Sequence, residues 1–328
     1  MGKLGKLWKT VLAAGAGAGV LAALNASIRR SASEPEDTTF GGLAQSFEWR
    51  HGDIFYKMAG AENSGAPLLF VHGIGAGVSS FMWRRNFDAL AQDFQVYALD
   101  LLGFGLSDKP AFASYSADLY VELLADFIRD CIGRPAHLVA SSLGAAYSVR
   151  LADEHPELVR DLLLISPTGV NNLNARPGMT GAAFYGLLES PVLGESFYNV
   201  MASERSIRDY ARKQLFYDPS RVTERLVSHY YAASHQPGAQ HAIAAFLSGY
   251  LNTDIRLPFE RLRQRIALVW GKQDETNKLE QAAELLHLNP QARLFIFDQC
   301  RMMPQEEQPE KFNALAREML RTDNADKA

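Results

Sequence analysis

Only two cysteines, Cys131 and Cys300, stand in 328 residues. That rules out a disulfide framework, a CxxC redox pair and a thiolate-rich metal site, and it leaves the redox compartment open. Basic blocks are equally scarce. Thirty-three Lys and Arg against 37 Asp and Glu leave a net charge of −4, and no cationic run within the main body would grip a phosphate backbone, so a nucleic-acid partner is not expected. Of the eight histidines, His229, His235 and His241 recur six apart, a spacing that does not bring residues onto one helix face. No metal site and no cofactor is therefore expected. Internal repeats are also missing.

What is present is an ordinary globular mixture: 47% hydrophobic, 21% charged and 10% aromatic residues, enough chain for one large domain and an appendage. The appendage is N-terminal. From Thr10 to Ile28 the run TVLAAGAGAGVLAALNASI carries no charge, and at about 1.5 Å per helical residue it nearly matches a hydrocarbon core of about 30 Å. Residues 1–30 are thus expected to be an uncleaved membrane anchor, because the best small-x-small cleavage site, Leu24-Asn25-Ala26, starts with a large residue. Lys3, Lys6 and Lys9 precede the run, and Arg29 and Arg30 follow it. This bias would hold the N-terminus inside and the body on the non-cytoplasmic side. Residues 31–43, polar with Pro and Gly, suit a linker.

Beyond the linker, eight short β-branched or aromatic runs alternate with helical patterns: Phe47–Arg50, Ile54–Met58, Leu68–His72, Val96–Leu101, His137–Ala140, Leu162–Ser166, Ile266–Trp270 and Leu294–Phe297. Alternation of this kind predicts an α/β fold with a mostly parallel sheet. Only His51, Gly52 and Asp53 separate the first two runs, so the sheet is expected to begin with an antiparallel hairpin. Strand signals stop between Thr168 and Pro258, which predicts a helical cap at 168–257 inserted after the sixth strand. The core would then comprise 44–167 and 258–321, followed by a tail at 322–328.

In such sheets the chemistry gathers at the carboxyl ends of the strands. The fifth run leads into Ala140-Ser141-Ser142-Leu143-Gly144, with small residues two before and two after Ser142, as a tight strand-to-helix turn requires. A plain turn with Ser142 as an N-cap fits the same letters. The third run ends in His72-Gly73-Ile74-Gly75. Further motifs follow in Asp100-Leu101-Leu102-Gly103-Phe104-Gly105-Leu106-Ser107-Asp108, in Trp270-Gly271-Lys272-Gln273-Asp274 and in Pro304-Gln305-Glu306-Glu307-Gln308-Pro309. Over roughly Phe47 to Leu320, these five motifs and their order resemble the α/β-hydrolase superfamily, in its serine-nucleophile, cap-bearing esterase and lipase-like branch. The resemblance implies Ser142 as nucleophile, the backbone N–H groups of Ile74 and Leu143 as oxyanion hole, and Asp274 as the acidic triad member.

The match stops at the base. Where the resemblance calls for a Gly-His pair, the chain reads Arg301-Met302, and a thioether takes no proton from Ser142. The resemblance, taken with the expected N-terminal anchor, therefore implies a membrane-anchored, catalytically impaired pseudoenzyme that binds an apolar small molecule, an ester or a protein partner. One alternative is an active serine carboxylic-ester hydrolase using a non-standard base, for which His229, His235 and His241 are the candidates. Another is a structural subunit of a membrane complex. Arg301 is expected to pair with Asp274 in the vacated corner. Phe184, Tyr185, Leu187, Leu188, Phe197, Tyr198, Val200 and Met201 are expected to line or buttress a pocket beneath the cap.

Overall fold

The computed structural model describes residues 2–35 and 40–321, with side chains from residue 17 onward. The expected tail at 322–328 and part of the expected linker lie outside the described residues. Eight strands form one sheet in the order β1-β2-β4-β3-β5-β6-β7-β8. They are β1 (Leu43–Trp49), β2 (Gly52–Ala59), β3 (Leu68–Val71), β4 (Val96–Leu99), β5 (Ala136–Ser141), β6 (Val159–Ile165), β7 (Arg265–Gly271) and β8 (Arg293–Phe297). β2 runs antiparallel to β1 and β4, and the pairings from β4 through β8 are parallel. The antiparallel start and mostly parallel remainder are those expected from the sequence.

Central strands read as unbroken apolar runs because both faces are covered. Leu69 and Val71 of β3 enter one core while Leu68 and Phe70 enter the other. In β6, Leu162 and Leu164 alternate with Leu163 and Ile165 in the same way, as the two-residue strand period demands. The helices are α1 (Gly2–Ser31), α2 (Phe87–Leu90), α3 (Ala117–Asp126), α4 (Ser142–Glu154), α5 (Met179–Leu188), α6 (Leu193–Met201), α7 (Glu204–Tyr210), α8 (Glu224–Ser234), α9 (Ala239–Leu247), α10 (Arg256–Arg261), α11 (Glu280–Leu288), α12 (Pro304–Glu307) and α13 (Pro309–Leu320). Helices α5 to α10 all fall between β6 and β7.

The membrane expectation is overturned. Among the described residues no helix is long and apolar enough to cross a membrane, and the side chains of the first part of Thr10–Ile28 lie outside the described residues. The C-terminal part of α1 docks on α6 through polar contacts. Asn25 is buried, its amide donates to the Val192 carbonyl at 3.2 Å and to Ser196 Oγ at 3.1 Å, and its oxygen accepts from Asn199 Nδ2 at 3.1 Å. Arg29 pairs with Glu195. Polar groups that would be costly in hydrocarbon are thus satisfied against the protein. The expected placement of the body on a non-cytoplasmic side loses its basis with the span.

Candidate active site

The strand β5 is buried along its whole length and passes directly into α4, so the chain must reverse its conformation within one residue. That residue is Ser142, with φ +54°, in the left-handed region that few side chains adopt. The small neighbours make the turn feasible. A Cβ added to Gly144 would collide with the His72 carbonyl oxygen, and one added to Gly73 would stand 3.3 Å from Ser142 Cβ. The turn after β3 therefore lies against the elbow. Leu143 falls in the first turn of α4, where backbone N–H groups lack intrahelical acceptors, and Ile74 directly follows the close approach at Gly73.

His72 secures this turn. Its Nδ1 lies 2.6 Å from the Gly73 carbonyl, and Nε2 accepts from the Leu101 N–H at 2.9 Å, which makes Nδ1 the protonated nitrogen. Burial lowers its pKa, against the charge of Asp100. It serves as a neutral strut.

Asp274, in the turn after β7, is buried. Its Oδ1 accepts from the N–H groups of Thr276 and Asn277, both at 2.9 Å, and Oδ2 accepts from Ser166 Oγ at 3.2 Å. Burial pushes its pKa up to about 6, against these hydrogen bonds and the charge of Arg301. Ser166 was not anticipated from the sequence. It follows β6 at φ +42°, and its carbonyl accepts from Asn277 Nδ2 at 3.3 Å, so β6 and the β7 turn fix the carboxyl together. The one signal for it was its position at the end of a strand run.

After β8 the loop turns at Gln299, φ +53°. Cys300 N donates to Gln273 Oε1 at 3.0 Å, Gln273 N donates to the Cys300 carbonyl at 2.9 Å, and Arg301 N donates to Glu307 Oε2 at 2.8 Å. Met302 reaches the cavity with its Sδ 4.0 Å from the Tyr210 hydroxyl. The Arg301 guanidinium does not take the expected direction. It donates to the carbonyls of Arg212 and Lys213, where a helical segment leaves its last acceptors free. Cys300 is buried, and that burial pushes its thiol far above the ordinary range, which argues against a reactive thiolate.

Ser142, Ile74, Thr276, Asn277 and Met302 border one cavity of about 610 Å³. From the helical segment above the sheet it draws Met201, Ser206, Ile207, Tyr210, Leu215, Tyr230, Ile243, Phe246 and Leu247. Of the eight residues expected beneath the cap, Met201 lines it. Phe184, Leu187, Phe197 and Val200 are exposed, Leu188 and Tyr198 are buried elsewhere, and Tyr185 packs half-buried against the core. Apart from Met201, α5 and α6 contribute no lining residue, which sequence alone could not show.

The candidate substitute bases are occupied elsewhere. His229 stacks on Phe81 with Nε2 3.5 Å from Ser79 Oγ, and burial, with Arg84 and Arg225 nearby, lowers its pKa to about 4. His235 stacks on Tyr231. His241 pairs with Glu189 at 2.8 Å. None is a lining residue of the cavity.

The sequence model of the α/β hydrolase fold family matches residues 66–309. A 2-hydroxymuconate semialdehyde hydrolase of Pseudomonas putida is 31% identical over 272 residues, covering 79% of this chain and 88% of its own. Another, from Pseudomonas sp. (strain CF600), is 29% identical over 269 residues, covering 78% and 87%. The solved structure of a membrane phospholipase A, a bacterial virulence factor, covers 97% of this chain and 96% of its own at TM-score 0.67 and 25% identity. These hydrolase relatives overturn the expectation of an impaired pseudoenzyme kept for ligand or protein binding, and that of a structural membrane subunit.

Proposed function

Because the chain belongs to the α/β-hydrolase fold family, we propose that it is a serine hydrolase of carboxylic esters with an apolar acyl or alcohol part. Ser142 is the nucleophile in this reading, the N–H groups of Ile74 and Leu143 hold the oxyanion, Asp274 is the acidic member, and Met302 occupies the position of the base. The observation that carries it is Ser142 held at φ +54° at the floor of a largely apolar cavity of about 610 Å³. Strain of this kind persists only where the surroundings enforce it.

The chemistry follows from those groups. Ser142 Oγ forms a bond to the ester carbonyl carbon while the carbonyl electrons move to an oxygen facing the two N–H groups. Collapse expels the alcohol part and leaves an acyl-serine, which water then hydrolyses. Met302 neither accepts the serine proton nor returns one to the leaving group, so solvent carries both. The site thus favours leaving groups that depart unprotonated, such as phenolates and enolates.

The test compares p-nitrophenyl octanoate with ethyl octanoate in the parent and in Ser142→Ala. The aryl ester is expected to turn over in a Ser142-dependent way, and the ethyl ester at least about a hundredfold more slowly. Equal rates would reveal a general acid at work and contradict the role given to Met302.

A further inference from the structure

Tyr210 ends α7 at the wall of the cavity that Ser142, Thr276 and Met302 also border. Ser206 and Ile207 line the same cavity, and residues three and four apart share a helix face, so one face of α7 turns toward it. The Tyr210 hydroxyl donates to Met302 Sδ at 4.0 Å, the far limit of a bond to a weak thioether acceptor. Although the residue is 49% exposed, burial around the hydroxyl, followed by the charge of Asp274, raises its pKa. The ring therefore shows an edge to solvent while its polar end points inward, at the corner where a triad base would stand.

The segment behind Tyr210 is tied to that corner from two loops. Ala211–Leu215 forms a π-helical turn, closed by Phe216 N donating to the Ala211 carbonyl at 3.0 Å. Arg301, beside Met302, donates to the Arg212 and Lys213 carbonyls, and Thr276, in the turn after Asp274, donates from Oγ1 to Gln214 Oε1 at 2.9 Å. Turns of this width are rare and recur at functional sites. Here the turn fastens Tyr210 over the β7 and β8 loops.

Resting on the reading of Ser142 as an ester-cleaving nucleophile, we propose that Tyr210 is a further catalytic residue, its hydroxyl donating a hydrogen bond to the leaving oxygen of an aryl or enol ester. As Ser142 Oγ bonds to the carbonyl carbon and gives its proton to solvent, the bond from that carbon to the leaving oxygen breaks. Its electron pair stays on the oxygen as a phenolate or enolate. A fixed phenol stabilises that charge more than it stabilises the neutral ester oxygen before cleavage, which is the condition for lowering the barrier. The proton stays on Tyr210, because its raised pKa makes it a weaker acid than the departing phenol. Met302 yields the hydroxyl at small cost, since a thioether competes poorly with an oxyanion.

The test measures kcat/KM for p-nitrophenyl, p-chlorophenyl and phenyl octanoate in the parent, in Tyr210→Phe and in Ser142→Ala. Removing the hydroxyl is expected to cost phenyl octanoate about ten- to a hundredfold and the p-nitrophenyl ester about two- to fivefold. The chlorophenyl ester should fall between, because the hydrogen bond strengthens with the charge on the leaving oxygen. A merely structural role would lower all three by one factor. Position 210 is half exposed, so the phenylalanine variant should keep the melting temperature of the parent. An equal loss across the three esters, or none, would overturn the proposal. Hydrolysis that survives Ser142→Ala and keeps the graded dependence on Tyr210 would remove the nucleophile reading and leave the role of Tyr210 standing, whereas Ser142-dependent hydrolysis with an ungraded Tyr210→Phe would do the reverse.

Discussion

At the end of β5 the tight packing of backbone on backbone falls on letters beside Ser142, whereas at the end of β8 the loop carrying Met302 presses its Cys300 and Arg301 carbonyls on Gly271 of β7 and is held further by side chains reaching in from its neighbours. At β5 a single added carbon at Gly144 would strike the His72 carbonyl, so sequence and geometry are locked together. At β8 the bonds from Gln273 and Glu307 go to the main chain of Cys300 and Arg301, and none of them involves the Met302 side chain. The loop would keep its shape with another residue at 302. A strand end whose tight contacts fall on its own letters restricts them, while one whose tight contacts fall on a neighbouring strand leaves position 302 unrestricted.

The strongest way to sharpen this contrast is to place a histidine at position 302. In the scaffold described, Met302→His should raise hydrolysis of p-nitrophenyl octanoate by about 10²–10⁴-fold, the usual contribution of a positioned acid–base, and the gain should vanish when Ser142→Ala is added. Arg301 does not need to be removed first, because its guanidinium is engaged with the Arg212 and Lys213 carbonyls. No gain would mean that the loop does not hold position 302 as described.

Breaking the external supports comes next. Arg84 donates to Glu306 Oε1 at 2.6 Å, and the Glu306 side chain is 1% exposed, which fastens α12, directly after the Met302 loop, to the segment before α2. Glu306→Gln should destabilise the protein by about 2–3 kcal/mol, because it takes the carboxylate from a half-buried guanidinium. Chemical denaturation would read this as a lowered midpoint, and an unchanged one would contradict the bracing role.

A comparable effect belongs to Asp274. Its carboxyl is raised from 3.8 to about 6, so between those values the folded protein holds a proton that the unfolded chain releases. Its contribution to stability is complete below about pH 4 and is lost as the pH rises through about 6, a change of about 3 kcal/mol for a shift of that size. Asp274→Asn keeps an acceptor for the Thr276 and Asn277 N–H groups. It should exceed the parent in stability above pH 6 by up to about 3 kcal/mol and equal it near pH 4. Thermal melts across that range would show parallel curves if the carboxyl were not responsible. Smallest is Ser166→Ala, which removes one donor from Asp274. It should raise that pKa further and shift the stability loss to higher pH by a fraction of a unit, with about 1 kcal/mol lost at neutral pH.

The same contrast explains what the sequence reveals. Strands β3 to β7 are readable because burial on both faces leaves continuous apolar runs, and Ser142 is readable because its turn tolerates few letters. Ser166 escapes notice because one buried serine at a strand end resembles any other until Asp274 is seen beside it. Asn25 escapes for a different reason. Its partners Ser196 and Asn199 lie far along the chain, so an uncharged Ala- and Gly-rich run looks like a membrane span when its end is in fact a docking surface. The direction taken by Arg301 depends on carbonyls freed near Lys213, which no local pattern announces.

The central claim, that Ser142 is a reactive nucleophile despite Met302, is tested most directly by treating the parent protein with a fluorophosphonate probe and mapping the modified peptide. The account predicts a single adduct on Ser142 that is absent from Ser142→Ala. A folded parent protein left unmodified at Ser142 after prolonged exposure would contradict it.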